Sequence, residues 1–174
     1  MIRKIDEIQT VTLDLLLLEE KMYNIINTNG KNEDFKKLCI LLDDNLNEIV
    51  GGEKQRSQYN QYNVLNDIHD VILIYDGKLP IACGSFKKYD DECAELKRMF
   101  VRKEYRGKGL SKQILSDLEK TASDQGFLYM ILESGEILKE AMTLYRKSGY
   151  EVIANYGVYK NMPESVCMKK KLRG

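Results

Sequence analysis

Apolar residues recur at three- and four-residue steps through the start of the chain. Ile2, Ile5, Ile8, Val11, Leu15, Leu18 and Met22 form one stripe, which predicts an amphipathic helix. Residues 23–26 are a short apolar piece ending in Asn29-Gly30; they read as a first strand or as the end of that helix. Asn32 is a good N-cap for a second helix, with Phe35, Leu38, Cys39, Leu42, Leu46 and Ile49 as its buried face. Gly51-Gly52 stops it, as glycines past a helix C-terminus do. Residues 53–67 are polar and rich in Gln, Asn and Tyr, an ordered loop or a short helix.

The period then changes to that of strands. Residues 71–75 form an apolar run closing on Asp76-Gly77, a hairpin signal, with 79–87 as the partner strand. After the turn at Tyr89-Asp90-Asp91 comes a strand over 93–101, whose apolar set is interrupted by Lys97 and Arg98. Strict alternation would place Glu95, Lys97, Met99 and Val101 on one face, and Leu96, Arg98 and Phe100 on the other. Residues 110–123 are helical, with Leu110, Ile114, Leu115 and Leu118 on one side, and Gly126 ends them. The continuous apolar run 127–132 predicts a strand buried on both sides. Residues 136–148 carry Ile137, Ala141, Leu144 and Tyr145 at helical spacing and are capped by Gly149. Residues 150–154 and 165–172 are the last strands. The alternation implies a mixed sheet with helices on both faces. No repeat or low-complexity linker divides the chain, so residues 1–174 read as a single domain.

Composition narrows the function. With 43% hydrophobic residues the 174-residue chain can bury a real core. Lys plus Arg and Asp plus Glu each number 27, for a net charge of zero. That gives no support to a nucleic-acid partner, and Lys169-Lys170-Lys171 reads as a solvated strand end. Cys39, Cys83, Cys93 and Cys167 lie far apart with no C-x-x-C pair. This argues against a disulfide framework or thiol metal site and makes a reducing, cytoplasmic compartment the expectation. No His/Cys/Asp cluster suggests a metal, and the single His69 reads as a turn or surface residue. The longest aliphatic run, residues 15–18, falls far short of the about 20 residues of a membrane span, so no membrane is expected. Early acidic residues argue against a secretory signal.

The chemical signal is Val101-Arg102-Lys103-Glu104-Tyr105-Arg106-Gly107-Lys108-Gly109-Leu110-Ser111, set between a strand and a helix. Glycines let such a loop turn several N–H groups one way, and the helix N-terminus adds unpaired donors and a positive dipole end. Together these can cradle a pyrophosphate, with Arg106 and Lys108 adding charge-assisted bonds. A plain strand-to-helix turn explains the same residues equally well. The loop matches neither the P-loop nor the dinucleotide pattern.

Four blocks in order carry a family resemblance. Arg106-x-x-Gly109-x-Ser111 resembles R/Q-x-x-G-x-G/A, with Ser in the last place as a mild departure. Ala94-Glu95-Leu96-Lys97-Arg98-Met99-Phe100-Val101 looks like the strand before that loop, and Ile131-Leu132-Glu133-Ser134-Gly135 like the strand after it. Ala141-Met142-Thr143-Leu144-Tyr145-Arg146-Lys147-Ser148-Gly149-Tyr150 resembles A-x-x-L-Y-x-x-x-G-F/Y. On these residues the chain resembles the GNAT superfamily of acetyl-CoA-dependent N-acetyltransferases from residue 70 to residue 172, more weakly before, with residues 1–20 as an N-terminal helical addition.

The resemblance implies an α/β (α+β) fold. Its mixed, mostly antiparallel central sheet would have about six to seven strands, with helices on both faces and strands four and five parallel and splayed. Acetyl-CoA would be the cosubstrate and no metal would be needed. Pantetheine would lie between the splayed strands, pairing with the backbone of Met99, Phe100 and Val101, and a backbone N–H there would polarise the thioester carbonyl. Arg106, Gly107, Lys108, Gly109, Leu110 and Ser111 would hold the pyrophosphate. Tyr145 would protonate the departing thiolate, against the plainer reading of a half-buried helix tyrosine.

A lysine-type amine, which titrates near about 10.4 in water, arrives protonated, and Glu95 and Glu133 are the candidate bases. Lys97 could instead pair with Glu95, and Glu133 could line the acceptor pocket or cap the next helix. Asn155-Tyr156-Gly157 and Tyr159 border the acceptor or form an ordinary loop; Cys167 reads as a packed thiol. The implied reaction is direct acetyl transfer, in a ternary complex, to a primary amine of a small molecule or peptide. The alternative is a non-catalytic acetyl-CoA-binding regulatory module. Many members of the family are homodimers; nothing in this chain alone marks an interface.

Overall fold

The computed structural model describes residues 22–51, 65 and 67–172. The N-terminal stripe from Ile2 to Leu18, the added helix expected over residues 1–20, and nearly all of the polar stretch 53–67 lie outside the described residues.

Strand β1 (Asn24–Thr28) takes the piece that sequence left between strand and helix. Helix α1 (Glu33–Val50) begins where Asn32 accepts hydrogen bonds from the N–H groups of Asp34 and Phe35, at 2.9 and 3.1 Å. These satisfy two of the donors that a helix start leaves open. Gly51 ends it at φ 88°, a left-handed conformation that only glycine adopts readily. Phe35, Leu38 and Cys39 pack with Val71, Leu73 and Cys83 beneath the sheet. Leu46 and Ile49, expected in the buried face, instead stand at the edge of a cleft.

The hairpin of β2 (Asp70–Asp76) and β3 (Leu79–Lys88) turns at Gly77 and is followed by β4 (Cys93–Val101). Helix α2 (Leu110–Asp124) covers the face opposite α1, burying Leu110, Ile114, Leu115, Leu118 and Ala122. Its approach needs Gly84 on β3, where an added Cβ would collide with Ile114 and come within 2.5 Å of the Met99 sulfur. Strand β5 (Tyr129–Gly135) follows, then helix α3 (Lys139–Lys147). That helix starts three residues later than the spacing predicts. Residues 133–135 still pair with the last strand, so the chain turns at 136–138 to leave the sheet, with Leu138 N–H donating to the Gly135 carbonyl at 2.9 Å and Ile137 exposed. Strands β6 (Glu151–Ile153) and β7 (Ser165–Lys171) close the chain.

The seven strands of the described residues form one sheet in the order β1-β2-β3-β4-β5-β7-β6. Every pairing is antiparallel except β4 with β5. The larger core, on the α2 side, joins Ile72, Phe86, Leu96, Met130, Met142 and Met168.

Candidate active site

The parallel pair is short. It runs only from Cys93↔Tyr129 to Glu95↔Ile131, while β5 stays paired with β7 along its whole length. Beyond Glu95 the two strands part. The fork opens a cleft of about 1250 Å³, lined by residues 96–101 of β4, by Arg106, Gly107 and Gly109, by the first turn of α2, by residues 133–141, and by Leu144 and Tyr145 of α3. Leu42, Asn45, Leu46 and Ile49 of α1 form another wall.

Strand β4 is not regular there. Cys83 pairs with Phe100 but Ser85 pairs with Lys97, so Arg98 and Met99 together stand opposite Gly84. This is a β-bulge, with Arg98 at φ 57°, a conformation that costs an ordinary residue roughly 1–2 kcal/mol. The Arg98 guanidinium donates to Asp43 of α1 at 2.8 Å, which holds it there. The extra residue overturns the strict alternation expected from sequence. Met99 and Val101 pack on the α2 side together with Ala94 and Leu96, while Phe100 packs on the α1 side. Glu95 and Lys97 therefore do not share a face with Met99 and Val101. The trace of the bulge in the sequence was the Lys97-Arg98 interruption of the apolar run.

The loop between β4 and α2 makes a 3₁₀ turn at Lys103–Tyr105, then uses Gly107 at φ 76° and Gly109 at φ 78°. Gly109 is the N-cap of α2 and supplies no side-chain acceptor. Gly109, Leu110, Ser111 and Lys112 line the cleft, so the uncapped donors and the positive end of the helix dipole border it. Arg106 turns inward: Nε donates to the Val101 carbonyl at 3.1 Å and Nη2 to Asn45 at 3.0 Å. It ties the loop to β4 and α1. The Lys108 ammonium lies 5.1 Å from the centre of the Tyr105 ring and borders a separate cavity of about 440 Å³ rather than the cleft.

Tyr145 is buried in α3, lines the cleft, and stacks edge-on against Tyr150 with ring centres 5.8 Å apart. Burial first, and the charge of Glu133 second, push its hydroxyl pKa well above the usual tyrosine value. Both favour the neutral, proton-bearing form.

The two candidate carboxylates part company. Glu133 lines the cleft and accepts from the Ser165 hydroxyl at 2.7 Å. Glu95 is buried and is not among the cleft-lining residues. Its Oε1 accepts from the Tyr156 hydroxyl at 3.0 Å and lies 3.4 Å from the Lys97 ammonium. Lys97 does line the cleft, and donates to the Tyr159 hydroxyl at 2.8 Å. Burial lowers its pKa, and the charge of Glu95 works in the opposite direction. The loop carrying these tyrosines is held by Asn155, whose amide donates to the carbonyls of Tyr159, Met162 and Ser165.

Of the residues singled out in sequence, Met99, Phe100, Val101, Arg106, Gly107, Gly109, Leu110, Ser111, Glu133 and Tyr145 meet around the cleft. Lys108 and Glu95 stand outside it. The cleft role of Lys97 was missed, although a charge in the middle of a strand was the signal. The α1 wall left a fainter one, Asn45 beside the end of the apolar stripe. Among the described residues no group of three or more His, Cys, Asp or Glu could hold a metal, and no helix is long and apolar enough to cross a membrane.

A family model described as the acetyltransferase (GNAT) family matches residues 22–150. An uncharacterized N-acetyltransferase, YsnE, from Bacillus subtilis is 30% identical over 100 residues, covering 56% of this chain and 66% of that protein. An IAA acetyltransferase from Azospirillum brasilense is 33% identical over 94 residues, covering 53% of this chain and 61% of that protein. The chain thus spans just under two thirds of the length of these curated relatives. A GNAT-family acetyltransferase from Elizabethkingia anophelis, solved with acetyl-CoA bound, shares the fold at a TM-score of 0.63 and 17% identity, over 88% of this chain and 100% of that one.

Proposed function

The chain belongs to the acetyltransferase (GNAT) family, and on that premise we propose that it transfers an acetyl group from acetyl-CoA to a primary amine of a small molecule or peptide, donor and acceptor being bound together. The observation that carries this reading is the fork between β4 and β5. Beyond Glu95 the edge of β4 has no strand partner on the β5 side among the described residues. An extended chain bearing amides can pair with such an edge as an added strand does. At the mouth of the same cleft the N-terminal turn of α2 lacks a side-chain cap, which suits a pyrophosphate.

Acetyl-CoA supplies an acetyl carbon already activated as a thioester. The chain's own residues do the rest. Backbone N–H groups of residues 99–101 hold the carbonyl oxygen as it gains charge. Tyr145 keeps its proton at neutral pH and gives it to the sulfur that leaves. Glu133, the candidate carboxylate that lines the cleft, takes the proton of the incoming ammonium, directly or through water. Glu95, held by Tyr156 and facing Lys97, keeps that lysine charged instead of serving as the base. Attack is direct and no cysteine takes part.

The test is thermal unfolding with and without acetyl-CoA, wild type beside Gly109→Trp. A ligand held only by the folded state stabilises it by about 2.7 kcal/mol at a hundredfold excess over Kd. The expected result is a rise in Tm for wild type that a folded Gly109→Trp lacks, together with thiol release on adding an amine. No rise at millimolar acetyl-CoA overturns the reading. A rise with no thiol release over a broad amine panel favours a binding module instead.

A further inference from the structure

Two residues past the last rung of the parallel ladder, the register carried forward sets Lys97 on one arm of the fork opposite Glu133 on the other. Both line the cleft. Lys97 is an unusual wall residue, because its side chain is only 13% exposed. An ammonium brings three N–H donors. One goes to the Tyr159 hydroxyl at 2.8 Å. A second faces Glu95 at 3.4 Å, longer than the about 2.7–2.9 Å of a charge-assisted bond. The same Glu95 oxygen also accepts from Tyr156, so its hydrogen-bonding capacity is shared between the two. The third donor meets no described residue.

Burying a charge with a donor unmet is costly unless something arrives to meet it. The donor side does not need this group, since the proposed pyrophosphate cradle lies at the loop end of the cleft, at Gly107 and residues 109–112. The acceptor also offers the opposite arm an ammonium, which Glu133 receives. We propose that the acceptor is a free amino acid, its amine directed to Glu133 and its carboxylate received by the Lys97 ammonium. This deepens the transfer reading above and rests on it. It separates free amino acids from peptide N-termini and from simple amines, neither of which carries a carboxylate beside the reacting nitrogen.

The experiment compares thiol release from acetyl-CoA for each common amino acid, its carboxamide and its decarboxylated amine, with wild type and Lys97→Met. For the best amino acid, kcat/KM should exceed that of its amide and its amine by at least about tenfold, the weight of a hydrogen bond to a charged group. Lys97→Met should lower kcat/KM for the acid by at least about tenfold more than for the amide, closing the gap between them. Stabilisation by acetyl-CoA confirms that the variant is folded; if it is not, the wild-type comparison decides alone. Amides or amines turned over as well as the acid overturn the inference. So does an equal fall of all three in folded Lys97→Met, which would make the lysine structural. No turnover of any amino acid while acetyl-CoA still stabilises the protein overturns it as well, and leaves the donor site standing. Absence of that stabilisation removes the transfer reading and this inference together.

Discussion

Tyr145 shows how one side chain takes its role from its surroundings. On the helix alone it is one more apolar position; at the cleft it is a hydroxyl shut off from water and facing the charge of Glu133. A raised pKa keeps the proton bound through neutral pH and past the usual tyrosine range, so Tyr145 should set no limb of the pH profile there. Tyr145→Phe should lower the kcat of thiol release by about 10²–10⁴-fold, the range of general acid catalysis, with acetyl-CoA stabilisation kept and the basic limb of the profile unmoved. A basic limb that vanishes in the variant would show instead that the tyrosine titrates. Its place was legible because its block of residues is contiguous. The partners of Glu95 and Lys97 were not, since Tyr156 and Tyr159 lie 61 and 62 residues away along the chain.

Elements were legible where local chemistry punctuates them. Asn32 and Gly51 bracket α1 as capping rules require, and Asn32→Ala should cost about 1 kcal/mol, measured as a lower denaturation midpoint at unchanged m-value. No loss would mean that water replaces both of its backbone contacts. Strand β4 defeated the same approach. Period-two reasoning assumes one residue against one, and the bulge at Arg98 sets two against Gly84, reversing which face each later side chain takes. The guanidinium contact that holds the bulge comes from Asp43, 55 residues earlier. The delayed start of α3 has a similar origin, because the pairing of β5 with β7 decides where the chain is free to turn.

For the whole molecule, strand count and helix placement followed from alternation and family resemblance, but the size of the cleft did not. It depends on α1 closing one side, and no motif in α1 announces that wall. All four cysteines are buried in the packed structure, and none is asked to carry an acyl group. A thiol reagent such as DTNB should therefore react slowly with the native protein and with all four thiols after denaturation. Activity should survive brief exposure; fast loss of activity with one equivalent consumed would argue for a cysteine in the reaction. The three-rung seam between β4 and β5 has a mechanical meaning too. The sheet is a plate with a slit, and a slit gapes least at its tip. Loop and helix stand at the rim, where a long molecule would enter, while Lys97 and Glu133 stand beside the tip, two residues past the last joined rung.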